Sequence, residues 1–402
     1  MSSPAERDLD PADLGLLSPV SAGTAAETLT GDAAVADALV RAEAALLRAL
    51  AATGIAPPVA RDAAEVVGAT DIDVRELAVA AVRGGNPVIP LVAQLRNAVA
   101  TGIGGEATRW VHFGATSQDI LDTALMLVAA RVGDRVEQDL TGLAHHLARF
   151  ADENRAVPIV ARTLTQQAMP TTLGFRAAGW LAGVDDAVRT LRAARALPVS
   201  LGGPVGSAAA YGERGAELVE AFARELGLGS PVTSWHTRRT PVVELVHAHT
   251  GAASACSKIA ADVLVMCQTE VAEASEGAGG PSSAMAHKSN PAQSVLVVAA
   301  ARQLPALASV VAASATAEQE RPAGAWHAEW QMLRTVLRTA GGAVERTAEL
   351  VPAVHWDRYA MARNLDRLVD ILAKDHAWVQ QQTAHVDLWV DRVLREHEEL
   401  FA

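Results

Sequence analysis

Gly280-Pro281-Ser282-Ser283-Ala284-Met285-Ala286-His287-Lys288-Ser289-Asn290-Pro291 leads directly into an apolar, helix-periodic run from Ala292 to about Ala315. The first part offers hydroxyls, an imidazole, an ammonium and an amide, with almost nothing to bury, so it cannot build a core. The second part is a long helix with little polar surface. A polar loop carried on a rigid helical body is a common way to deliver catalytic groups, although a Gly/Ser/Asn/Pro cluster taken alone is an ordinary solvated turn.

The rest of the chain repeats this alternation. Apolar-periodic segments run over about 118–153, 174–196, 211–227, 241–276, 291–317 and 327–350, and several exceed the usual length of a globular helix. Half of the 402 residues are hydrophobic but only 4% are aromatic, and Ala and Leu dominate. Few β-branched runs alternate, so the composition predicts an all-α protein whose small side chains let helices approach closely. A helix is expected from Asp32 to Thr53, with Leu39, Ala42, Leu46 and Leu47 on one face, ended by Gly54 and Pro57-Pro58. The expected organisation is an N-terminal helical domain (1–100), a central long-helix bundle (101–343) and a short C-terminal helical domain (344–402) whose last helix carries Leu388, Val390, Val393 and Leu394.

A net charge of −12 makes nucleic acid and anionic membranes poor partners, and an anionic substrate would need a local cluster of positive charge. Cys256 and Cys267 read as buried small hydrophobes in a reducing compartment. No apolar stretch reads as long and uninterrupted enough for a bilayer, and the acidic N-terminus Glu6-Arg7-Asp8-Leu9-Asp10 is no signal peptide, so a cytoplasmic location is expected. No metal-ligand spacing, phosphate loop or Gly-x-Ser-x-Gly elbow is present.

Polar clusters punctuate the long segments. His112-Phe113-Gly114-Ala115-Thr116-Ser117-Gln118-Asp119 reads as a helix start, with Thr116 or Ser117 as cap and Asp119 favoured by the helix dipole. Spare N–H groups and hydroxyls at such a terminus also suit a carboxylate. Arg162-Thr163-Leu164-Thr165-Gln166-Gln167, Trp235-His236-Thr237-Arg238-Arg239 and Glu320-Arg321-Pro322 to Trp330 are the others. Singly each is a surface turn; together their arginines and Lys288 supply the cations that a polycarboxylate requires.

Ser282 to Pro291 resembles the Gly-Ser-Ser-x-Met-Pro-x-Lys-x-Asn-Pro signature of the fumarase/aspartase superfamily. Gly114–Asp119 and Arg162–Gly174 resemble its two other shared regions, in the right order, over about residues 30–350. Trp110-x-His112-Phe113-Gly114-Ala115-Thr116-Ser117-Gln118-Asp119, Gly85-Asn86-Pro87-Val88-Ile89-Pro90-Leu91 and Gly324 to Trp330 are most similar to the bacterial 3-carboxy-cis,cis-muconate cycloisomerases.

That resemblance implies the three-domain fold, a homotetramer with a shared helical core, and active sites each assembled from three chains. It implies no cofactor, and a small polycarboxylate substrate with a proton moved on a carbon α to a carboxylate. Ser282 takes the role of base, stabilised as an alkoxide by Lys288, and Lys288 and Asn290 balance charge on the substrate. Thr116, Ser117, Arg162, Thr163, Gln166, Arg239 and Arg321 are candidates for holding carboxylates, with His236, Ser283 and Met285 as further contacts. Two departures bear on the chemistry. Leu164 stands where many of the lyases carry a histidine that acts with the general acid, and His112, His236 or His287 are candidates for that vacant role. Ala286 replaces the usual proline after Met285, which removes a backbone constraint. The C-terminal helical domain is also shorter than in the cycloisomerases. The implied activity is lactonisation of carboxymuconate to 4-carboxymuconolactone, in the protocatechuate branch of the β-ketoadipate pathway. The alternative is a lyase releasing fumarate from an amino- or nitro-substituted succinate.

Overall fold

The computed structural model describes residues 15–277, 280–281, 285 and 288–402. The first helices are α1 (Ala25–Leu29), α2 (Asp32–Ala52), α3 (Val59–Gly68), α4 (Val74–Gly84), α5 (Val88–Gly102) and α6 (Gly105–Thr108). The long α7 (Ser117–Glu153) follows, then an antiparallel ribbon of β1 (Pro158–Thr163) and β2 (Gln166–Thr172), and α8 (Leu173–Ala193). After a 3-10 turn at Ala209–Arg214 come α9 (Gly215–Leu226), α10 (Thr240–Met266), and the short strands β3 (Ala274–Glu276), β4 (Gly280–Pro281) and β5 (Ser289–Asn290). The chain closes with α11 (Ala292–Ser314), α12 (Ala325–Ala353), β6 (Val354–Trp356), α13 (Arg358–Ile371), α14 (His376–Thr383) and α15 (Val386–Phe401). The all-α class is what the chain adopts.

Five long helices, α7, α8, α10, α11 and α12, pack side by side around a core of Ala, Leu and Val. Their small side chains set the spacing. A Cβ on Gly341 of α12 would lie 2.6 Å from the Cβ of Ala26 on α1, and one on Gly342 would lie 2.8 Å from the Val20 carbonyl. Overpacking of this kind destabilises by about 1–3 kcal/mol. Gly341→Leu is therefore expected to lower the denaturation midpoint, and an unchanged midpoint would count against this close approach.

Two expectations need correction. The segment 241–276 is not one helix: α10 stops at Met266, the chain turns through Ala272 at φ 52°, and β3 then pairs with β6. Nor is it true that no apolar stretch is long enough to cross a bilayer. Ala292–Ser314 meets that test by length and composition. It packs against α10 and α12 through Val297, Ala300, Leu304 and Val311, while Val295 and Val310 remain 50% and 38% exposed. In the last helix α15, Val390 is the buried contact and Leu388 is exposed.

Chain direction fixes where the polar clusters fall. The starts of α7, α10 and α12 lie together at one pole with the 200–203 turn, while α8 ends half-way along α7, beside Asp134 and Glu137. The opposite ends, with the β1–β2 ribbon and the short strands β3, β4 and β5, lie at the other. The 37 residues of α7 separate the poles by about 55 Å, at 1.5 Å per residue.

Candidate active site

The first pole is organised by three buried carboxylates. Thr116 is the N-cap of α7, and Asp119 in the first turn accepts its backbone N–H at 3.0 Å. Asp119 is fully buried and also accepts from Gly202 N–H and Gly203 N–H, both at 2.8 Å, and from Ser200 Oγ at 3.2 Å. His236 Nε2 completes the set at 2.7 Å. His236 is itself only 3% exposed. Expected as a substrate contact, it forms instead part of the wall that pins the 200–203 turn to α7.

Arg239 needs the same correction. Its guanidinium is buried and held by Asp122 Oδ2 at 2.7 Å, Asp122 Oδ1 at 3.0 Å and Glu329 Oε2 at 2.7 Å, and it lies 4.7 Å over the Trp235 ring. Burial opposes its charge, but Asp122 and Glu329 outweigh burial and raise its pKa. A guanidinium saturated by its own chain is no clamp for a ligand. Its work is to lock α7, α10 and α12 together at this pole.

What stays accessible here is His112, Thr116, Ser117 and Arg321. Gly114, at φ +72°, lets the chain turn into α7 beneath Tyr211, because a Cβ there would lie 2.4 Å from the Tyr211 ring. Arg321 crosses the α7 start, donating from Nε to Gln118 Oε1 at 3.0 Å and from Nη2 to the Pro204 carbonyl at 3.3 Å. His112 Nδ1 meets Glu43 Oε1 of α2 at 2.6 Å. Burial lowers the His112 pKa, but Glu43, and more weakly Asp119, more than offset it and leave it raised.

At the second pole Arg162 is also engaged from within. Nη1 and Nη2 donate to the two oxygens of the fully buried Glu273 at 2.9 and 2.8 Å, and Asn364 Nδ2 donates to Glu273 Oε1 at 2.8 Å. This arrangement ties the ribbon to the segment after α10 and to α13, so Arg162 is a brace rather than an open carboxylate clamp. Thr163, Leu164, Thr165 and Gln166 form the ribbon tip and are all exposed. Leu164 and Thr165 take positive φ, at 49° and 67°, and Leu164 is 96% exposed. Beside the ribbon lies a cavity of about 470 Å³ lined by Arg162, Thr165, Phe175, Arg176, Lys258 and Met266, among others.

β4 and β5 pair beside the start of α11. Gly280 pairs with Asn290, and a Cβ on Gly280 would lie 2.7 Å from that of Ala292. Glu276 accepts the N–H groups of Gln293 at 3.0 Å and Ser294 at 2.9 Å. The N-terminus of α11 therefore holds a carboxylate from this chain rather than an external anion. Met285 and Lys288 are exposed, and Lys288 N–H donates to the Met285 carbonyl. Ser282, Ser283 and His287 lie outside the described residues.

Of the expected cations, Arg162 and Arg239 are neutralised internally. Arg321 and Lys288 make no ion pair among the described residues, and His112 is paired with Glu43 through Nδ1 alone. Glu43, Glu273, Asp122 and Glu329 were not singled out as functional by sequence. Only Glu43 left a signal, a carboxylate set on the apolar face of α2 that carries Leu39, Ala42, Leu46 and Leu47.

A family model described as lyase matches residues 19–305. Nitrosuccinate lyase of Streptomyces davaonensis is 45% identical over 367 residues, covering 88% of this chain and 77% of the relative. The 3-carboxy-cis,cis-muconate cycloisomerase of Bradyrhizobium diazoefficiens is 39% identical over 357 residues, covering 87% and 79%. Among solved structures, the 3-carboxy-cis,cis-muconate lactonizing enzyme of Pseudomonas putida superimposes with a TM-score of 0.86 at 31% identity, covering 96% of this chain and 100% of that one.

Proposed function

The chain belongs to the lyase family of the fumarase/aspartase superfamily and is an enzyme, and from that premise we propose that it is a 3-carboxy-cis,cis-muconate cycloisomerase. The observation that sets this reading apart from lyases with an amine or hydroxide leaving group is Leu164, which follows Arg162-Thr163 and projects from the ribbon tip. An apolar side chain there offers no proton. A leaving group such as hydroxide or an amine must be protonated as it departs; a carboxylate leaves as a stable anion without help.

In lactonisation, a carboxylate oxygen of the muconate chain bonds to an alkene carbon. The displaced electron pair settles on the neighbouring carbon as an enediolate with its carboxylate, and that carbon takes a proton from Ser282. Lys288 and Asn290 offset the charge on the enediolate, and Lys288 stabilises the serine alkoxide left behind. The alkoxide regains its proton from solvent as the lactone leaves, which closes the cycle, and no step calls on a cofactor.

A second reading is favoured by the 45% identity to a nitrosuccinate lyase. There the Ser282 alkoxide would take a proton from the carbon beside one carboxylate, and nitrite would leave the adjacent carbon to give fumarate. Nitrite is also a weak base, so Leu164 is compatible with it. Leu164 argues instead against the amino-substituted succinate. One pair of assays decides: purified enzyme with carboxymuconate should bleach the diene without releasing fumarate, whereas nitrosuccinate would yield fumarate and nitrite. Turnover confined to substrates with an amine or hydroxide leaving group would sink both readings.

Self-association is part of this proposal. Residues of the two poles cannot meet within one chain across about 55 Å. The half-exposed apolar α11 is a surface that a homotetramer would cover, with each site drawn from three chains and a small polycarboxylate as the only further partner. The three-domain division at 100 and 343 belongs to the same reading. Dilution to monomer should abolish turnover; a monomer in sedimentation that retains full activity would overturn it.

A further inference from the structure

We propose that Glu43 is a positioning residue that keeps the His112 imidazole doubly protonated, so that His112 Nε2–H stands as a fixed cationic donor for one substrate carboxylate beside the start of α7. The inference deepens, and rests on, the polycarboxylate reading above.

The geometry carries it. Glu43 is fully buried; Oε1 meets His112 Nδ1 at 2.6 Å, and Oε2 is buried with no hydrogen-bond partner. His112 is thus the one cation paired with that carboxylate among the described residues. A buried carboxylate satisfied on only one oxygen persists where a full positive charge stands beside it. The backbone holds the ring in place. His112 takes φ 61°, outside the range an ordinary side chain prefers, and the carbonyls on both sides are clamped. Arg96 Nη2 donates to Val111 O at 3.1 Å, and Tyr211 Oη donates to Phe113 O at 3.0 Å. With Nδ1 engaged by Glu43, Nε2 lies on the far side of the ring. It has no partner among the described residues and is not among the sealed polar atoms. Imidazolium is the form in which both nitrogens donate.

The groups facing the ring agree. Glu43 from α2 and Asp119 from α7 favour the charged form, Arg96 from α5 and burial oppose it, and the balance is a raised pKa. The Tyr211 phenol is pushed up by burial and stays neutral. With Arg239 saturated inside the chain, His112, engaged by Glu43 through Nδ1 alone, and Arg321 are the cationic donors of the first pole that keep an N–H free for an anion. A protein of net charge −12 needs one there to hold an anion.

The sign follows. His112 loses its proton as pH rises through its raised pKa, so affinity for a polycarboxylate should fall on the alkaline side of that pKa. Glu43→Gln removes the largest raising influence and leaves only Asp119 against burial and Arg96, which should move that fall to lower pH. The probe is tricarballylate, an unreactive tricarboxylate, titrated calorimetrically into the assembled enzyme from about pH 5.5 to about pH 9. We expect E43Q to bind nearly as wild type at the acid end and about tenfold or more weakly at a pH between the two alkaline falls. Superimposable pH profiles for E43Q and wild type would overturn the inference, as would a wild type that binds no tricarballylate at any pH. Should E43Q fail to assemble, His112→Asn decides: weak, pH-independent binding supports the inference and a retained alkaline fall overturns it. Turnover assays keep the two levels apart. Wild type inactive on both carboxymuconate and nitrosuccinate, with the E43Q shift present, defeats the reaction reading alone; an active wild type with no shift defeats this inference alone.

Discussion

Two inactive variants are expected to regain turnover when mixed, provided their lesions lie at opposite poles. Ser282→Ala removes the proposed proton-transfer group and should lower turnover by about 10²–10⁴-fold, the usual contribution of a positioned acid or base. His112→Asn combined with Ser117→Ala removes two donors from the first pole. At about 1.5–3 kcal/mol for a charge-assisted hydrogen bond and about 1 kcal/mol for a neutral one, this should lower kcat/KM by about two orders of magnitude. Each homo-oligomer carries its lesion in every site. If a site takes its first pole from one chain and its 280–291 loop from another, co-refolding the two produces hybrids in which some sites hold only intact parts. Activity should then rise from near zero to a substantial fraction of wild type.

The control uses the same chemistry with different geography. Ser282→Ala and Lys288→Ala both alter one loop on one chain, so no hybrid assembles a loop carrying both intact residues, and that mixture should stay inactive. Equal recovery in both mixtures, or none in the first, would sink the shared-site proposal. The structural basis is helix length: α10 and α12, of 27 and 29 residues, run from the pole of His112 to that of Lys288 and keep the two apart within one chain.

Local sequence was enough to locate the elements and the polar breaks between them, because the information is local. The start of α7, its Thr116 cap and its Asp119 partner lie within a few residues of one another. Helical periodicity likewise marked α2, α8, α11 and α12. What residue order could not convey was how the charges pair. Arg239 and Asp122 are separated by 117 residues and Arg162 and Glu273 by 111. Whether an arginine beside a helix end faces a ligand or a buried carboxylate depends on what a distant helix brings to it. Arg239 and Arg162 read as clamps for that reason, and His236 read as a ligand contact although Asp119 holds it inside. Glu43 escaped notice for the opposite reason: one carboxylate within an apolar face carries no local sign of the imidazole that the left-handed turn at His112 delivers to it.

Replacement of Arg239 by Met is expected to destabilise the fold by about 3–5 kcal/mol, the penalty of leaving buried charge without its counter-ion. Asp122 and Glu329 are 1% and 2% exposed. Without the guanidinium, Asp122 retains hydrogen bonds from Trp326 Nε1 at 2.9 Å and Gln118 Nε2 at 3.3 Å. Neither brings positive charge. The loss should therefore be electrostatic more than steric, since Met fills much of the same volume. That distinction can be tested. Adding Asp122→Asn and Glu329→Gln to Arg239→Met removes the uncompensated charge and should recover part of the lost stability in denaturant titrations, although each change alone destabilises. A single variant as stable as wild type, or a triple variant no better than the single, would refute this account of the network. Because Arg239 joins the starts of α7, α10 and α12, the single variant should also lose turnover under conditions where it remains folded. Thr116 and Ser117 begin the helix that this ion pair holds, and a displacement of about 1 Å in such a site can cost about 10²-fold in rate.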